Sequence, residues 1–183
     1  MSIFDSIGRG NAPQPAAKTP AGEQTFCFDA LPESLDALLA RPESALSTPF
    51  ETAALTVAAL CAYAAAPQIG LEMLNFLKGP QKLSPYQEQF LRDRFRDKTY
   101  VPFSYFAGAT PDNDYTPSVP FSLTLHTTPY SYQNEGYCTL YLHSGGADSD
   151  RSVQLRQKGG QWFLWEQFLL SDIRTPRSQD PWA

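Results

Sequence analysis

The two histidines, His126 and His143, are the side chains of this 183-residue protein best suited to transfer protons near neutral pH. Asp148 and Asp150 follow His143 closely, in a loop that contains glycines. A carboxylate beside an imidazole can fix its tautomer and orientation, which a general base requires. The pattern therefore supports, as one hypothesis, a small hydrolase or isomerase with His126 or His143 as its base.

A hydrolase of this kind also needs an activated nucleophile, and the candidates in the sequence are poor. Ser144 is not flanked on both sides by the glycines of a nucleophile elbow. Cys138 is expected to point away from the side of its strand that carries His143, because strand side chains alternate. Two surface histidines at strand ends are the simpler interpretation, so no catalytic residue is assigned.

The loop from Ser144 to Asp150 has glycines and aspartates but fits no ion-binding motif. It lacks the lysine and the following helix of a phosphate-binding P-loop. It also lacks the glutamate that closes a calcium-binding loop, and no Cys or His pair in the chain has zinc spacing. We expect a turn at this loop, and we predict neither a metal nor a cofactor.

The composition argues against several partners and compartments. The formal net charge is −5, which makes nucleic acid and anionic membrane poor partners, because phosphate groups attract concentrated positive charge. The most apolar run, Ala53 to Ala66, is too short and too rich in alanine to span a bilayer. Three scattered cysteines, and a start without the features of a signal peptide, predict a cytoplasmic protein with free thiols.

The first half of the chain is predicted to be helical. Thr48 and Ser84 each begin a capping box with proline at the first helical position. The helix that Thr48 starts is apolar nearly all round, so it should lie at the centre of the fold. Start signals, apolar spacing and a glycine at the end of the third helix place the helices at residues 34–40, 49–64, 67–78 and 85–98.

From Val119 onward the apolar residues recur at every second position, which predicts strands. The strands are expected at residues 119–126, 136–143, 152–157 and 161–166, with a further short strand at 25–28. Gly159-Gly160 has the form of a two-residue hairpin turn. That turn would pair Gln157 with Trp162, Leu155 with Leu164, and Val153 with Glu166.

The predicted register divides the sheet into two faces, because directly opposed residues share a face. Leu155, Trp162 and Leu164 would lie on the face that packs against the helices. The other face combines aromatic rings with polar and charged groups, a mixture typical of recognition surfaces. Its candidate ligand-binding residues are Tyr137, Tyr141, His143, His126, Arg156, Phe163 and Trp165.

The pattern predicts an α+β protein with one domain over residues 23–183. Three to four N-terminal helices should pack on one face of a four- to five-stranded antiparallel meander. Residues 1–22 have the proline- and alanine-rich composition of a flexible segment and linker. Residues 100–118 form an aromatic-rich loop that is expected to pack over the domain, where it could cover the second face.

The chain resembles a family of uncharacterised bacterial proteins, a domain of unknown function, over roughly Phe26 to Ala183. The stretches that carry the resemblance are residues 50–63, 74–80, 144–149, 161–168 and 180–183. The resemblance implies a compact bacterial domain. It implies no activity and no functional residue.

These observations lead to three hypotheses about function. The leading one is a non-enzymatic binding or interaction module that uses the aromatic and polar sheet face to take a small molecule or a protein. The second is the hydrolase or isomerase with a histidine base. The third is a structural scaffold, which would have its second sheet face covered by the chain.

Overall fold

The computed structural model describes residues 22–183 and confirms the predicted α+β class. Four helices and five strands follow one another as β1 (Glu23–Phe28), α1 (Leu35–Leu39), α2 (Pro49–Ala65), α3 (Pro67–Lys78), α4 (Pro85–Phe95), β2 (Phe121–His126), β3 (Tyr137–Leu142), β4 (Arg151–Lys158) and β5 (Gln161–Gln167). The strands form one antiparallel sheet in the order β1-β2-β3-β4-β5. The predicted flexible segment lies outside the described residues except for Gly22, whose carbonyl accepts a hydrogen bond from the Thr127 backbone amide.

Helix α2 lies at the centre of the fold, as its apolar surface predicts. The capping box at its start is present, with Thr48 Oγ1 accepting from the Glu51 amide and Glu51 Oε2 accepting from the Thr48 amide. The helix contacts strands β2, β3, β4 and β5. Its two buried threonines are both satisfied, because Thr52 donates to the Trp162 carbonyl and Thr56 donates to the Thr52 carbonyl.

Helices α3 and α4 flank α2. A side chain on Gly70 of α3 would collide with Tyr63 of α2, so glycine permits the close approach of these two helices. The Ser84 capping box of α4 is present. The predicted end of α4 near Lys98 is wrong, because Arg96 is already extended and Asp97 has a φ of 58°. No helix within residues 22–183 combines the length and the apolar character that crossing a bilayer requires.

The aromatic-rich loop after α4 joins the two halves of the fold from beside the sheet. Strands β2 and β3 pair only at Leu125–Leu142 and His126–Tyr141. Beyond that point Phe106 forms a bridge with Leu123, and the Ala107 amide donates to the Ser122 carbonyl. The loop therefore extends the pairing of β2 within the sheet plane.

The hydrophobic core lies between α2 and one face of the sheet, called here the inner face. Leu123, Leu140 and Leu155 are fully buried on this face. The opposite face, called the outer face, carries the side chains that alternate with them along the same strands.

Candidate functional site

The outer face has no covering layer among residues 22–183. All seven residues predicted to bind a ligand lie on it, and none of them is buried. Arg156 and His143 are exposed, and the other five are half-buried. The face is therefore accessible to a ligand along the length of β3 and β4.

The seven residues form two clusters at opposite ends of β3. The first, called the arginine cluster, comprises Tyr137, Arg156, Phe163 and Trp165. The second, called the histidine cluster, comprises His126, Tyr141, His143 and the additional residue Asp150. Sequence reasoning placed all seven residues on one face but could not resolve this separation.

In the arginine cluster, strand pairing brings the side chains together. Arg156 lies directly opposite Tyr137 on β3 and opposite Phe163 on β5. Its guanidinium carbon is 4.7 Å from the Trp165 ring centre and 5.5 Å from the Tyr137 ring centre. The two rings meet edge to face at 5.8 Å. The cation is thus held by two aromatic faces, an attraction that orients Arg156 without neutralising its charge.

A β-bulge in β5 positions Trp165. The predicted pairs Gln157–Trp162 and Leu155–Leu164 are confirmed. The predicted pair Val153–Glu166 is wrong, because the register shifts at this point and Val153 lies opposite Gln167. A bulge inserts one extra residue and redirects side chains, so Trp165 lies next to Arg156.

Lys78 and Gly79, at the end of α3, support the arginine cluster from the side. Lys78 is only 6% exposed, and its Nζ donates a 3.0 Å hydrogen bond to the Trp165 carbonyl. Burial lowers the pKa of Lys78, and the nearby Glu166 carboxylate opposes that shift. Gly79 has a φ of 63°, and a side chain there would collide with the Phe163 ring. The sequence predicts the helix end at Gly79 but contains no signal for its contact with β5.

A pocket of about 460 Å³ opens beside the arginine cluster, beneath the turn that follows α3. This pocket is called the lysine pocket. The side chains that matter for its chemistry are Lys78, Pro80, Arg156, Lys158, Phe163 and Trp165. Its volume is within the range of small-molecule sites, about 300–1,000 Å³.

The histidine cluster is centred on Asp150. Asp150 Oδ2 is 3.1 Å from His126 Nε2, and Asp150 Oδ1 is 3.5 Å from His143 Nδ1. The His126 ring lies 6.0 Å from the ring of Tyr141. The aspartate can orient both imidazoles, but the His143 side chain is 75% exposed. Asp148 is directed elsewhere and pairs with Arg174.

Neither nucleophile considered in the sequence reaches the histidine cluster. Ser144 is buried, donates to Ser104 Oγ at 2.8 Å and accepts from the Gly146 amide. Cys138 is buried on the inner face, and burial raises the pKa of its thiol to about 11. Hydrogen bonds within the fold hold the Ser144 hydroxyl, and the core encloses the Cys138 thiol. Neither group is therefore activated as a nucleophile.

Within residues 22–183, no group of three or more His, Cys, Asp and Glu side chains has an arrangement suited to a metal ion. The predicted absence of a metal and of a cofactor has no test in this geometry and stays a prediction.

The fold and the site together define a small α+β protein with one helix-covered sheet face and one open face. Residues 30–177 match the family model described as Domain of unknown function (DUF6935). The chain belongs to this family, which confirms the resemblance to a domain of unknown function. No curated protein and no solved structure matches the chain.

Proposed function

We propose that this protein is a non-enzymatic binding module that takes a small molecule or a protein on the outer face of its sheet. The proposal rests on the surroundings of the Arg156 side chain. Its guanidinium is exposed and oriented by two aromatic rings, yet it has no carboxylate partner among residues 22–183. We also propose a bacterial, cytoplasmic origin, in keeping with the resemblance and the free thiols.

The physical argument is one of preorganisation. Aromatic rings and an arginine lose little further freedom on binding when they already hold one another in place. Aromatic and arginine side chains also dominate the binding energy of known interfaces. An arginine cluster that is already arranged, and still open to solvent, therefore supports recognition more than it supports folding.

A structural scaffold is less well supported. That hypothesis needs the outer face to be covered, and none of its predicted binding residues is buried within residues 22–183. A membrane or nucleic-acid partner is not proposed, because the net charge is −5.

The second candidate function is a hydrolase or isomerase with His126 as its base. The observation in its favour is the 3.1 Å contact between His126 and Asp150. The surroundings of Ser144 and Cys138 weigh against a hydrolase. Hydrolysis of p-nitrophenyl acetate by the wild type, by His126→Gln and by Asp150→Asn should be equal. A loss of rate in both variants would favour the enzyme.

The direct test of the binding proposal is a screen of many small molecules against the protein. Amide NMR spectra of the whole chain are recorded with a library of small aromatic acids, amines and amides. Shift changes should concentrate at Tyr137, Arg156, Phe163 and Trp165. Changes concentrated at another pocket, such as the apolar one lined by Cys61, Ile69 and Phe103, would contradict the proposal.

Two substitutions sharpen the screen. Trp165→Ala should remove the shift changes while the spectrum of the core stays unchanged. Tyr141→Ala, at the opposite end of β3, serves as the matched aromatic control. If Tyr141→Ala alone removes binding, the histidine cluster and not the arginine cluster is the binding site.

A further inference from the structure

The lysine pocket has an unusual charge for this protein. Three of its lining side chains are cationic, Lys78, Arg156 and Lys158, and no acidic residue lines it. The chain as a whole carries a net charge of −5. The pocket therefore concentrates positive charge on a protein that is otherwise acidic, and such concentration attracts anions.

Lys78 is the informative member of the three. Its side chain is almost fully buried, and the only hydrogen bond that it donates within residues 22–183 goes to the Trp165 carbonyl. An ammonium group has three N–H donors. Glu166 is close enough to influence Lys78 electrostatically, but it forms no ion pair with Lys78 in the described residues. A buried cation without a paired carboxylate is costly, and an anionic ligand would relieve this cost.

Arg156 presents a second cation to the same aromatic ring. The Lys78 Nζ is 5.9 Å from the Trp165 ring centre, and the Arg156 guanidinium carbon is 4.7 Å from it. Phe163 and Trp165 supply flat apolar walls beside these charges. The pocket thus offers cationic donors for an oxyanion and aromatic surface for an apolar body, side by side.

We infer that the lysine pocket binds a small organic anion, an aromatic carboxylate whose ring packs on Phe163 and Trp165 and whose oxygens accept from Lys78 and Arg156. The inference rests on the proposed function and specifies its ligand class. A carboxylate suits the site because charge-assisted hydrogen bonds from Arg and Lys are strong and directional. The volume of about 460 Å³ admits a small molecule of this kind.

Three ligands with the same naphthalene ring but different charge test the inference. 2-Naphthoate, neutral 2-naphthamide and cationic 2-naphthylmethylamine are titrated into the full chain and followed by amide NMR. Naphthoate should bind about tenfold or more tightly than naphthamide, a difference equivalent to about 1.4 kcal/mol. The amine should bind most weakly. Added salt should weaken naphthoate binding and leave naphthamide binding unchanged.

Variants that each remove one positive charge test which residues cause the preference for naphthoate over naphthamide. Arg156→Gln and Lys158→Gln should each weaken naphthoate binding clearly more than naphthamide binding. Both residues are exposed, so these variants are expected to fold. Lys78→Met is the third variant and is used once its spectrum shows a native core. Lys98→Gln removes one charge from an exposed position outside the lysine pocket, and it should change nothing.

The outcomes separate the two proposals. Equal affinities for all three probes at the arginine cluster would overturn the anion inference and leave the binding module standing. Loss of naphthoate binding in Lys98→Gln as well would also overturn it, because the effect would then be one of net charge. If no naphthyl probe binds at millimolar concentration, the inference fails, and library hits confined to another pocket would refute the binding module too.

Discussion

The two faces of the sheet are built from the same strands and differ in almost every physical property. On β3, Leu140 and Leu142 are fully buried under the helices, whereas Tyr137, Thr139 and Tyr141, which alternate with the buried residues, stay half-exposed. The inner face is specified by burial, which makes its residues necessary for folding. The outer face combines aromatic and charged groups that stay accessible to solvent, and this accessibility is the reason for proposing that it binds a ligand.

Thiol chemistry should show the largest contrast between the faces. Cys27 on β1 lies opposite Ser122, on the outer face, and is exposed, whereas Cys138 on the inner face and Cys61 on α2 are buried. Burial raises the pKa of both Cys61 and Cys138, so their reactive thiolates are scarce. Ellman's reagent should modify Cys27 at least about a hundredfold faster than the other two, which must await opening of the structure.

Mass spectrometry of the labelled peptides checks this result, and the unfolded protein, in which all three thiols should react, is the control. Rapid native labelling of Cys138 would mean that the inner face is not packed as described.

The free energy of unfolding should fall much more when an inner-face side chain is truncated than when an outer-face side chain is truncated. Leu155 is fully buried on the inner face, so Leu155→Ala should lower the free energy of unfolding by about 2–5 kcal/mol. Thr139→Ala, on the outer face of the neighbouring strand, should change it by about 0.5 kcal/mol or less. Urea unfolding curves measure both values. Similar losses in the two variants would remove the distinction between the faces.

A substitution at Gly79 tests whether the end of α3 holds Phe163 of the outer face in place. Gly79→Ala should destabilise the protein because it combines a positive φ with a collision against Phe163. Gly136 also has a positive φ, but a side chain there would meet no neighbour within 4 Å. Gly79→Ala should therefore cost about 1–3 kcal/mol more than Gly136→Ala, the usual range for overpacking.

Thermal or urea unfolding measures that difference. An equal cost at the two glycines would show that Phe163 moves freely and that α3 does not hold it.

The two tryptophans of β5 should show the smallest difference in stability. Trp162 packs against the core and meets the Tyr132 ring edge to face, but it is half-buried. Trp162→Ala should therefore cost less than the about 3–5 kcal/mol of a fully buried aromatic. Trp165→Ala should cost about 1 kcal/mol less than Trp162→Ala, because Trp165 mainly loses exposed aromatic and cation–π contacts.

Unfolding curves and the small-molecule screen together check this pair. A greater loss of stability from Trp165→Ala than from Trp162→Ala would place Trp165 among the structural residues.

Much of the fold follows from local signals in the sequence. The capping boxes at Thr48 and Ser84 locate two helix starts, and Gly159-Gly160 sets the pairing of β4 with β5 up to Leu155. These predictions succeed because each depends on residues that are close in the chain. The bulge at Trp165 escapes prediction, because the stretch from Gln161 to Gln167 contains no glycine or other local signal for an extra residue.

The site was predicted less completely, for a related reason. Alternation places the outer-face residues correctly, but the contacts of Lys78 and Gly79 with β5 join residues more than eighty positions apart. The sequence places Asp150 near His143, but the contact of Asp150 with His126 depends on the pairing of β2 with β3. Nothing in the local sequence specifies such contacts.

The claim on which the proposals depend is that the outer face is open in the complete chain, and one NMR measurement tests it. A soluble nitroxide is added to methyl-labelled protein, and the methyl signals of the neighbours Thr139 and Leu140 are compared. The Thr139 signal should broaden strongly and the Leu140 signals should persist, because only Thr139 faces solvent. Equal protection of the two residues would mean that the outer face is covered, and would contradict the account.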